Sequence, residues 1–264
     1  MNGMEELDAI ALERVVIDAL LPAPDARFVD TPDWVQLSTP SIPYATGNGV
    51  YLAKLDAAEA DARILELTRG HVERRAGFRW FVGPSSTPHD LAERLRRAGF
   101  LELGPSLGMA MPVPIEVPPI PAGVALHEVG PAEVEAFARL SERAWAREPA
   151  FGRALEGAMT RALARGPEVM RSWLVTLEGE PVGTTTLRLL AERRIGYLQG
   201  AAVVPERRRS GIYRAMVHHR LALLHALGFD HAVIWAAEGS SALGCRSLGF
   251  RRVCRAHFFE WRAS

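Results

Sequence analysis

Hydrophobic and polar residues follow two periods along this chain, one near 3.6 residues and one near two. The pattern is clearest in the last third, where the strand-like runs Tyr197–Val203 and His231–Ala237 flank a helix-like run, Ile212–Leu227. A short helix is predicted over Ser240–Leu248 and a final strand over Arg251–Trp261. Helices that alternate with strands in this way indicate an α/β fold with a mixed sheet.

The segment before this series has the same character. A strand is predicted over 124–129, followed by helices over 131–146 and 150–165. The runs 173–177 and 182–190, separated by a turn with glycine, predict a β-hairpin. Residues 124–261 therefore contain enough predicted elements for one complete domain.

An internal repeat indicates a second domain. Phe78–Phe100 and Phe229–Phe250 each begin with Phe after Gly, contain a strand with Trp, and close a helix with Gly-Phe. The closing glycines, Gly99 and Gly249, are 150 positions apart (249 − 99). A repeat of this size suggests two copies of one fold rather than a solenoid.

A proline-rich segment marks the predicted boundary. Residues 112–121 read P-V-P-I-E-V-P-P-I-P, which favours an extended linker. We therefore predict domains over 1–118 and 119–264. Upstream of the first repeat, a predicted strand at 49–54 and a helix at 57–75 correspond to those that precede the second.

Composition narrows the functional classes. The chain has 264 residues, is 48% hydrophobic and carries zero formal net charge, which argues against a general nucleic-acid binder and a polybasic membrane anchor. No apolar run reaches about 18 residues, and the N-terminus lacks the pattern of a signal peptide. Two cysteines suit a reducing compartment. We expect a cytoplasmic protein with no membrane or nucleic-acid partner; the oligomeric state is not predicted.

The segment V-P-E-R-R-R-S-G-I-Y-R-A-M, residues 204–216, is the strongest chemical signal. It lies between a predicted strand and a predicted helix, so backbone N–H groups without intrahelical partners are exposed where the helix begins. The helix dipole adds positive charge there, and Arg207, Arg208 and Arg209 add more. Gly211 lets a ligand approach the backbone closely. The segment predicts a phosphate or pyrophosphate site.

The spacing Pro205, Arg208, Gly211 resembles the acyl-CoA loop of the GNAT superfamily of N-acyltransferases, with Tyr213 where that family usually has a second small residue. The elements over 195–261 resemble the C-terminal half of the GNAT fold. The resemblance implies two GNAT-like domains in tandem, each a mostly antiparallel sheet flanked by helices. It also implies acetyl-CoA as co-substrate. The residues expected to bind it are Ala202, Val203, Val204, Arg208, Arg209, Ser210, Gly211, Ile212, Tyr213 and Arg214.

The corresponding loop of the first half has the opposite charge. Between Leu52 and Ala62 there is neither glycine nor arginine, and Asp56, Glu59 and Asp61 place carboxylates at the start of the predicted helix. Carboxylates satisfy the helix dipole themselves and repel a pyrophosphate. The first half is therefore expected to be a degenerate GNAT-like domain that holds no CoA.

Three residues are catalytic candidates by position. Gln199 stands where relatives often carry a glutamate base; it can orient substrate or water, or it is an outward-facing polar residue. Glu238 can hold an ammonium or relay a proton, or it caps the next helix. Cys245 stands where relatives often have a tyrosine acid, and a thiol can protonate a thiolate, or it is buried packing.

The leading hypothesis is an acetyl-CoA-dependent N-acetyltransferase that transfers an acyl group directly to a primary amine of a small molecule or peptide. The alternatives are a non-catalytic CoA-binding sensor or partner-binding module, and a nucleotide-phosphate binder of another fold. No metal is expected, because the adjacent His218 and His219 face different sides of their helix.

Overall fold

The computed structural model describes residues 7–147 and 149–262. The helices are α1 (Ala9–Asp18), α2 (Ala60–Glu73), α3 (Leu91–Arg97), α4 (Val134–Trp145), α5 (Pro149–Leu163), α6 (Ile212–Ala226) and α7 (Ser241–Ser247). The strands are β1 (Arg27–Asp30), β2 (Val35–Ser38), β3 (Gly49–Tyr51), β4 (Phe78–Val82), β5 (Leu101–Pro112), β6 (Val124–Glu128), β7 (Met170–Leu177), β8 (Glu180–Leu190), β9 (Ile195–Val203), β10 (His231–Ala237) and β11 (Arg251–Trp261). No described helix has the length and apolarity needed to cross a membrane.

Contacts divide the chain into two compact units. The first comprises the described residues up to Met109, Ala236–Leu243, and the described residues from Arg252 onward. The second comprises Ala110–Trp235 and Gly244–Arg251. These units are not contiguous in sequence, whereas the predicted domains are. The boundary between residues 118 and 119 stays a prediction.

In the first unit, the strand order is β1-β2-β3-β4-β11-β5. The β3–β4 pair is parallel, whereas β1–β2, β2–β3 and β4–β11 are antiparallel. The last strand of the chain thus pairs with β4, with Phe259 opposite Trp80. Both side chains are fully buried. The apolar core of this unit contains Val50, Ala53, Leu55, Ala60, Ile64, Leu67, Phe78, Trp80, Leu91, Leu95, Phe100 and Phe259.

In the second unit, the strand order is β10-β9-β8-β7-β6. Only β9–β10 is parallel; the other pairs are antiparallel. Helix α4 packs on β8 and α6 packs on β9. One core cluster contains Leu140, Ala144, Val175, Val182, Ala202, Val204, Ile212 and Met216. The predicted fold class, with mostly antiparallel sheets flanked by helices, is confirmed.

Most predicted elements of the second half are present within a few residues. Predicted helix 131–146 begins as a 3-10 turn over Pro131–Glu133 and continues as α4, where the Glu133 carboxylate accepts a hydrogen bond from the Gly130 amide at 2.9 Å. The sequence did not predict α1, β1, β2 or β5. Strand β1 is exposed at all four positions, so it has no hydrophobic alternation.

The repeat is visible in the hydrogen bonds that close α3 and α7. Gly99 N donates to Arg96 O (3.0 Å) and Phe100 N to Leu95 O (3.0 Å). At an offset of 150 residues, the same two bonds join Gly249 to Arg246 and Phe250 to Cys245. Both glycines have positive φ, 87° and 96°, which explains why glycine ends each helix.

We predict that His71 makes stability depend on pH. His71 is buried, its ring centroid lies 4.3 Å from that of Phe78, and its Nδ1 lies 3.2 Å from Arg74 Nη2. Burial, and then the Arg74 charge, lower the pKa of His71 from 6.5 to about 4. The folded state therefore keeps His71 neutral while the unfolded chain binds a proton below pH 6.5. The contribution of neutral His71 to stability is fully present above pH 6.5 and is lost as the pH drops towards 4.

Lowering the pH from 7.5 to 5 is expected to reduce the free energy of unfolding by about 2 kcal/mol through His71. Chemical denaturation of the wild type and His71→Gln at both pH values measures the effect. The variant is expected to be less stable at pH 7.5 because the ring contact is lost, but to lose about 2 kcal/mol less on acidification. Equal losses in the two proteins would contradict the prediction.

Candidate functional site

The turn between β9 and α6 contains two residues with left-handed backbone conformation. A 3-10 turn covers Pro205–Arg207, Arg209 has a φ of 65°, Gly211 has a φ of 84°, and α6 begins at Ile212. A Cβ at position 211 would meet open space, so the positive φ, and not crowding, favours glycine there.

This turn leaves a run of amides without acceptors. The first hydrogen bond of α6 runs from Ala215 N to Gly211 O at 3.1 Å. Among the residues that the structure describes, none accepts a backbone hydrogen bond from the amides of 209–214. Free amides at a helix N-terminus, together with the helix dipole, bind anions. The loop therefore has the donors that a phosphate or pyrophosphate requires.

Two loop arginines are held by the protein. Arg207 Nη2 lies 3.0 Å from Glu180 Oε2. Arg208 donates from Nε to Val203 O (3.2 Å) and from Nη2 to Ala144 O (3.0 Å). The predicted binding residue Arg208 thus ties the loop to the end of β9 and to the last turn of α4. The Arg208 side chain therefore holds the loop in place, and its positive charge remains close to the loop.

Arg209 and Arg214 are different. Both are exposed, and within the described chain neither has a hydrogen bond or ion pair. Ser210 is held locally, because its Oγ donates to Arg207 O at 2.5 Å. The cations available to an anion at this loop are therefore Arg209 and Arg214.

Strand β9 separates from β10 just before the loop. The two strands pair from Ile195 opposite His231 to Tyr197 opposite Val233, although both continue further. Beyond this point, Gly200 has a φ of 57° and is exposed. The edge of β9 between the last pair and the loop is therefore not used by β10.

On its other side, β9 shifts register against β8. Thr184 pairs with Ala202, but Thr186 pairs with Gln199, so β9 has one extra residue in this interval. This is a β-bulge, and Gly200 lies in it. A bulge disrupts the ladder, so some carbonyl groups need other donors.

Arg220 of α6 supplies those donors. Its Nη1 donates to Thr186 O (3.0 Å) and Gln199 O (3.5 Å), and its Nε to Met216 O (3.0 Å). The residue is fully buried, and burial lowers its pKa to about 10, so it stays charged at neutral pH. Sequence analysis missed Arg220; its signal was an arginine inside an apolar helical run.

Tyr213 and Cys245 face one another. Tyr213 Oη lies 3.3 Å from Cys245 Sγ, and the tyrosine ring packs beside Gly244. Burial, and then the neighbouring thiol, raise the pKa of Tyr213. Burial raises the pKa of Cys245, although the hydrogen bond from Tyr213 and the charge of Arg220 lower it. Both groups are therefore protonated at neutral pH.

The repeat indicates a packing role for Cys245. The corresponding residue of the first half, Leu95, is fully buried in an apolar core, and Cys245 is also fully buried. Tyr213 as a whole residue is half-buried, although its hydroxyl contacts the buried thiol. The two functions considered for Cys245, acid and packing, both remain compatible with its position.

The other predicted residues of β9 lie as follows. Gln199 is exposed. Ala202 is buried and pairs with Thr184. The Val203 carbonyl accepts the bond from Arg208, and the Val204 amide donates to Val182 O at 2.9 Å.

Glu238 belongs to an ionic network in the first unit. Its Oε2 accepts from Arg255 Nε (3.0 Å) and Nη2 (2.9 Å). Arg255 Nη1 lies 3.1 Å from His257 Nε2, and His257 Nδ1 lies 2.5 Å from Glu102 Oε1. The carboxylate therefore has an arginine partner, which neither sequence-based interpretation of Glu238 included.

The corresponding loop of the first half is closed by hydrogen bonds. Leu55 N donates to Thr87 O (3.1 Å) and Thr87 N to Ala53 O (2.9 Å), so a second segment pairs with the chain that follows β3. The Asp56 carboxylate accepts from the Ala58 amide at 2.8 Å. The turn before α2 therefore carries a carboxylate that accepts a backbone amide and a paired backbone segment, whereas the described residues show neither feature in the turn before α6.

A protein-family model matches the part of the chain that contains the turn between β9 and α6. Residues 135–250 match the acetyltransferase (GNAT) family model. No significant match was found among curated proteins. The matched range includes nearly all of α4, all of α5–α7 and the bulge of β9. It also includes the whole turn 205–214 that carries the free amides, which we call the anion loop.

Solved structures share the fold over nearly the full chain. A GCN5-related N-acetyltransferase from Kribbella flavida has a TM-score of 0.67 at 17% identity, covering 96% of this chain and 95% of that one. A conserved protein of unknown function from Staphylococcus epidermidis has a TM-score of 0.71 at 12% identity, covering 92% and 96%. A tandem GNAT protein from the clavulanic acid biosynthesis pathway has a TM-score of 0.57 at 15% identity, covering 96% and 88%. The family match therefore identifies residues 135–250 as a GNAT-type acetyltransferase domain, and the solved structures share the fold of nearly the whole chain.

Proposed function

We propose that this chain is an acetyl-CoA-dependent N-acetyltransferase that transfers the acyl group directly to a primary amine of a small molecule or peptide. The observation that carries the proposal is the run of unpaired amides at 209–214, with Arg209 and Arg214 unpaired beside it. This set of donors fits the pyrophosphate of CoA. The unpaired edge of β9 leads away from it and fits the extended arm of the same molecule.

Each part of the site has a role in this proposal. Bound acetyl-CoA would supply an activated acyl group as a thioester. The amides of 209–214 hold its phosphates, and Ala202–Val204 lie along its arm. Tyr213 keeps its proton at neutral pH, because burial raises its pKa, so its hydroxyl can donate to a departing thiolate. The amine must lose a proton to a base or to water.

One observation favours a second candidate, a CoA-binding sensor or partner-binding module without catalysis. The exposed position on β9 nearest the bulge is Gln199, and an amide cannot act as a base. Release of free CoA thiol with a panel of amines distinguishes the two functions. Binding of acetyl-CoA without amine-dependent thiol release would favour the sensor.

We also propose that the first half, residues 1–118, is a degenerate GNAT-like domain without a CoA site. The closed segment at Thr87 and the capping carboxylate of Asp56 support this proposal. The zero net charge supports an enzyme with no nucleic-acid or membrane partner, and the two free cysteines support a reducing, cytoplasmic location.

We predict that acetyl-CoA binds one site per chain and that Gly211→Asp weakens binding at least tenfold. The new carboxylate would stand at the start of α6, where it repels phosphate and accepts the free amides. Isothermal titration calorimetry measures both stoichiometry and affinity. Two sites per chain would contradict the proposal.

Gly228→Asp is a matched control. Gly228 has a φ of 74° and open space around it, and it follows the other end of the same helix. Both variants therefore share the cost of placing a side chain in the left-handed region, about 1 kcal/mol. Gly228→Asp is expected to bind acetyl-CoA as the wild type does, so equal weakening in both variants would assign the effect to strain.

We predict that Glu238→Gln lowers turnover more than Gln199→Ala, because only a carboxylate can accept a proton or neutralise an ammonium. Loss of a proton acceptor typically costs a factor of about 100 or more. Steady-state kinetics on the folded fraction measures the effect. Arg255→Gln is the control, since it removes the ion pair but keeps the carboxylate. A larger loss in Arg255→Gln than in Glu238→Gln would show that the pair is structural.

A further inference from the structure

Arg188 is a buried cation that has no counter-ion among the residues described by the structure. It lies within β8 and is 2% exposed. Its Nε is sealed from solvent and has no acceptor, and among the described residues no carboxylate forms an ion pair with it. Arg220, the other fully buried arginine of this unit, also has one buried nitrogen without an acceptor, Nη2, but it donates to three carbonyl oxygens.

A row of polar side chains leads from the surface to Arg188. Thr186 pairs with Gln199 and Arg188 with Tyr197, so these four side chains lie on one face of β8 and β9. Ser172 of β7 pairs with Thr186 on the same face, and their hydroxyls lie 2.9 Å apart. Gln199 is exposed, whereas Arg188 is 2% exposed and, of its side-chain nitrogens, only Nε is buried without an acceptor. The row therefore opens beside the bulge and ends at the arginine.

Burying the charged guanidinium of Arg188 in this environment costs folding free energy. Burial, and then the like charge of Arg165, lower its pKa to about 10, so the guanidinium is still protonated at neutral pH. A buried charge is normally paired or fully hydrogen-bonded, because the lost hydration must be replaced. The side chains of Ser172, Thr186 and Gln199 are neutral and cannot supply that negative charge. An anionic group of a ligand can.

We propose that the acceptor is a small amine that carries a carboxylate, as an amino acid does, and that Arg188 binds this carboxylate. The proposal rests on the proposed N-acetyltransferase function and specifies its substrate class. A planar guanidinium matches a carboxylate with two parallel hydrogen bonds. Arg188 is the one buried cation in this row of side chains, which suits a monoanion better than a phosphate dianion.

The spacing agrees with this assignment. The Arg188–Tyr197 pair lies two residues along the strands from the Thr186–Gln199 pair, about 7 Å away. An amine beside Gln199 and the bulge can therefore keep its carboxylate within reach of the long arginine side chain. Arg188 acts as a specificity-determining residue in this arrangement, since it touches the acceptor but not the reacting atoms.

The kinetic test uses the full chain with acetyl-CoA and paired acceptors, each amino acid against its amide. The wild type is expected to have a kcat/KM at least tenfold higher for the acid of the best pair. Arg188→Met should remove this preference while its rate with the amide stays within threefold of the wild type. Arg188→Lys should keep part of the preference.

Arg220→Met is the matched control, because it removes the other buried arginine. It is expected to lower the rates with acid and amide alike and to leave their ratio unchanged. A wild type that prefers amides or shows no preference, or an Arg188→Met variant that keeps the preference for acids, would overturn the inference.

A second measurement does not need activity. N-acetylglycine and N-acetylglycinamide serve as probes in thermal unfolding, and only the acid is expected to raise the Tm of the wild type. The shift should vanish in Arg188→Met and persist in Arg220→Met. No shift with the acid, or the same shift in Arg188→Met, would count against the carboxylate site. Failure to bind acetyl-CoA in calorimetry would instead refute the proposed function. The thermal-unfolding result would still decide whether Arg188 binds a carboxylate.

Discussion

The departure of β9 from both of its neighbours is the constraint on which the site depends. It stops pairing with β10 after Tyr197 and shifts register against β8 around Gly200. A strand that leaves its ladder exposes backbone groups that need partners. Arg220 provides some of them from α6, the same helix whose first turn carries the free amides. One helix therefore stabilises the bulge with its middle and faces the anion site with its N-terminus.

The two halves differ at the turn that precedes a helix in each. Both place a helix after a parallel strand. In the second half, Gly211 and Arg209 adopt positive φ, and the amides that follow stay free. In the first half, Asp56 accepts an amide hydrogen bond, and Thr87 pairs with the chain that follows β3. The difference lies in a few residues of the turn, because the dipole of the helix is the same in both.

Buried charge distinguishes structural from ligand-binding arginines here. Arg220 and Arg208 donate to backbone carbonyls, so the protein replaces much of their hydration, although Arg220 Nη2 is buried without an acceptor. Within the described part of the chain Arg188 has no such set of acceptors, although it is only 2% exposed. Because an unpaired buried charge is among the most costly features of a folded chain, Arg188 is the residue whose environment most needs a ligand.

The sequence alone determined the elements of the second half, the anion loop and the repeat, because hydrophobic period and helix-ending glycines are local signals. It failed for β1, which is exposed along its length, and for β2, which alternates but is only four residues long, and β5 was not predicted either. The pairing of β11 with β4, the arginine partner of Glu238 and the burial of Arg188 were decided by tertiary structure. Strand partners and burial depend on residues distant in sequence, and a single chain pattern does not encode which segments meet.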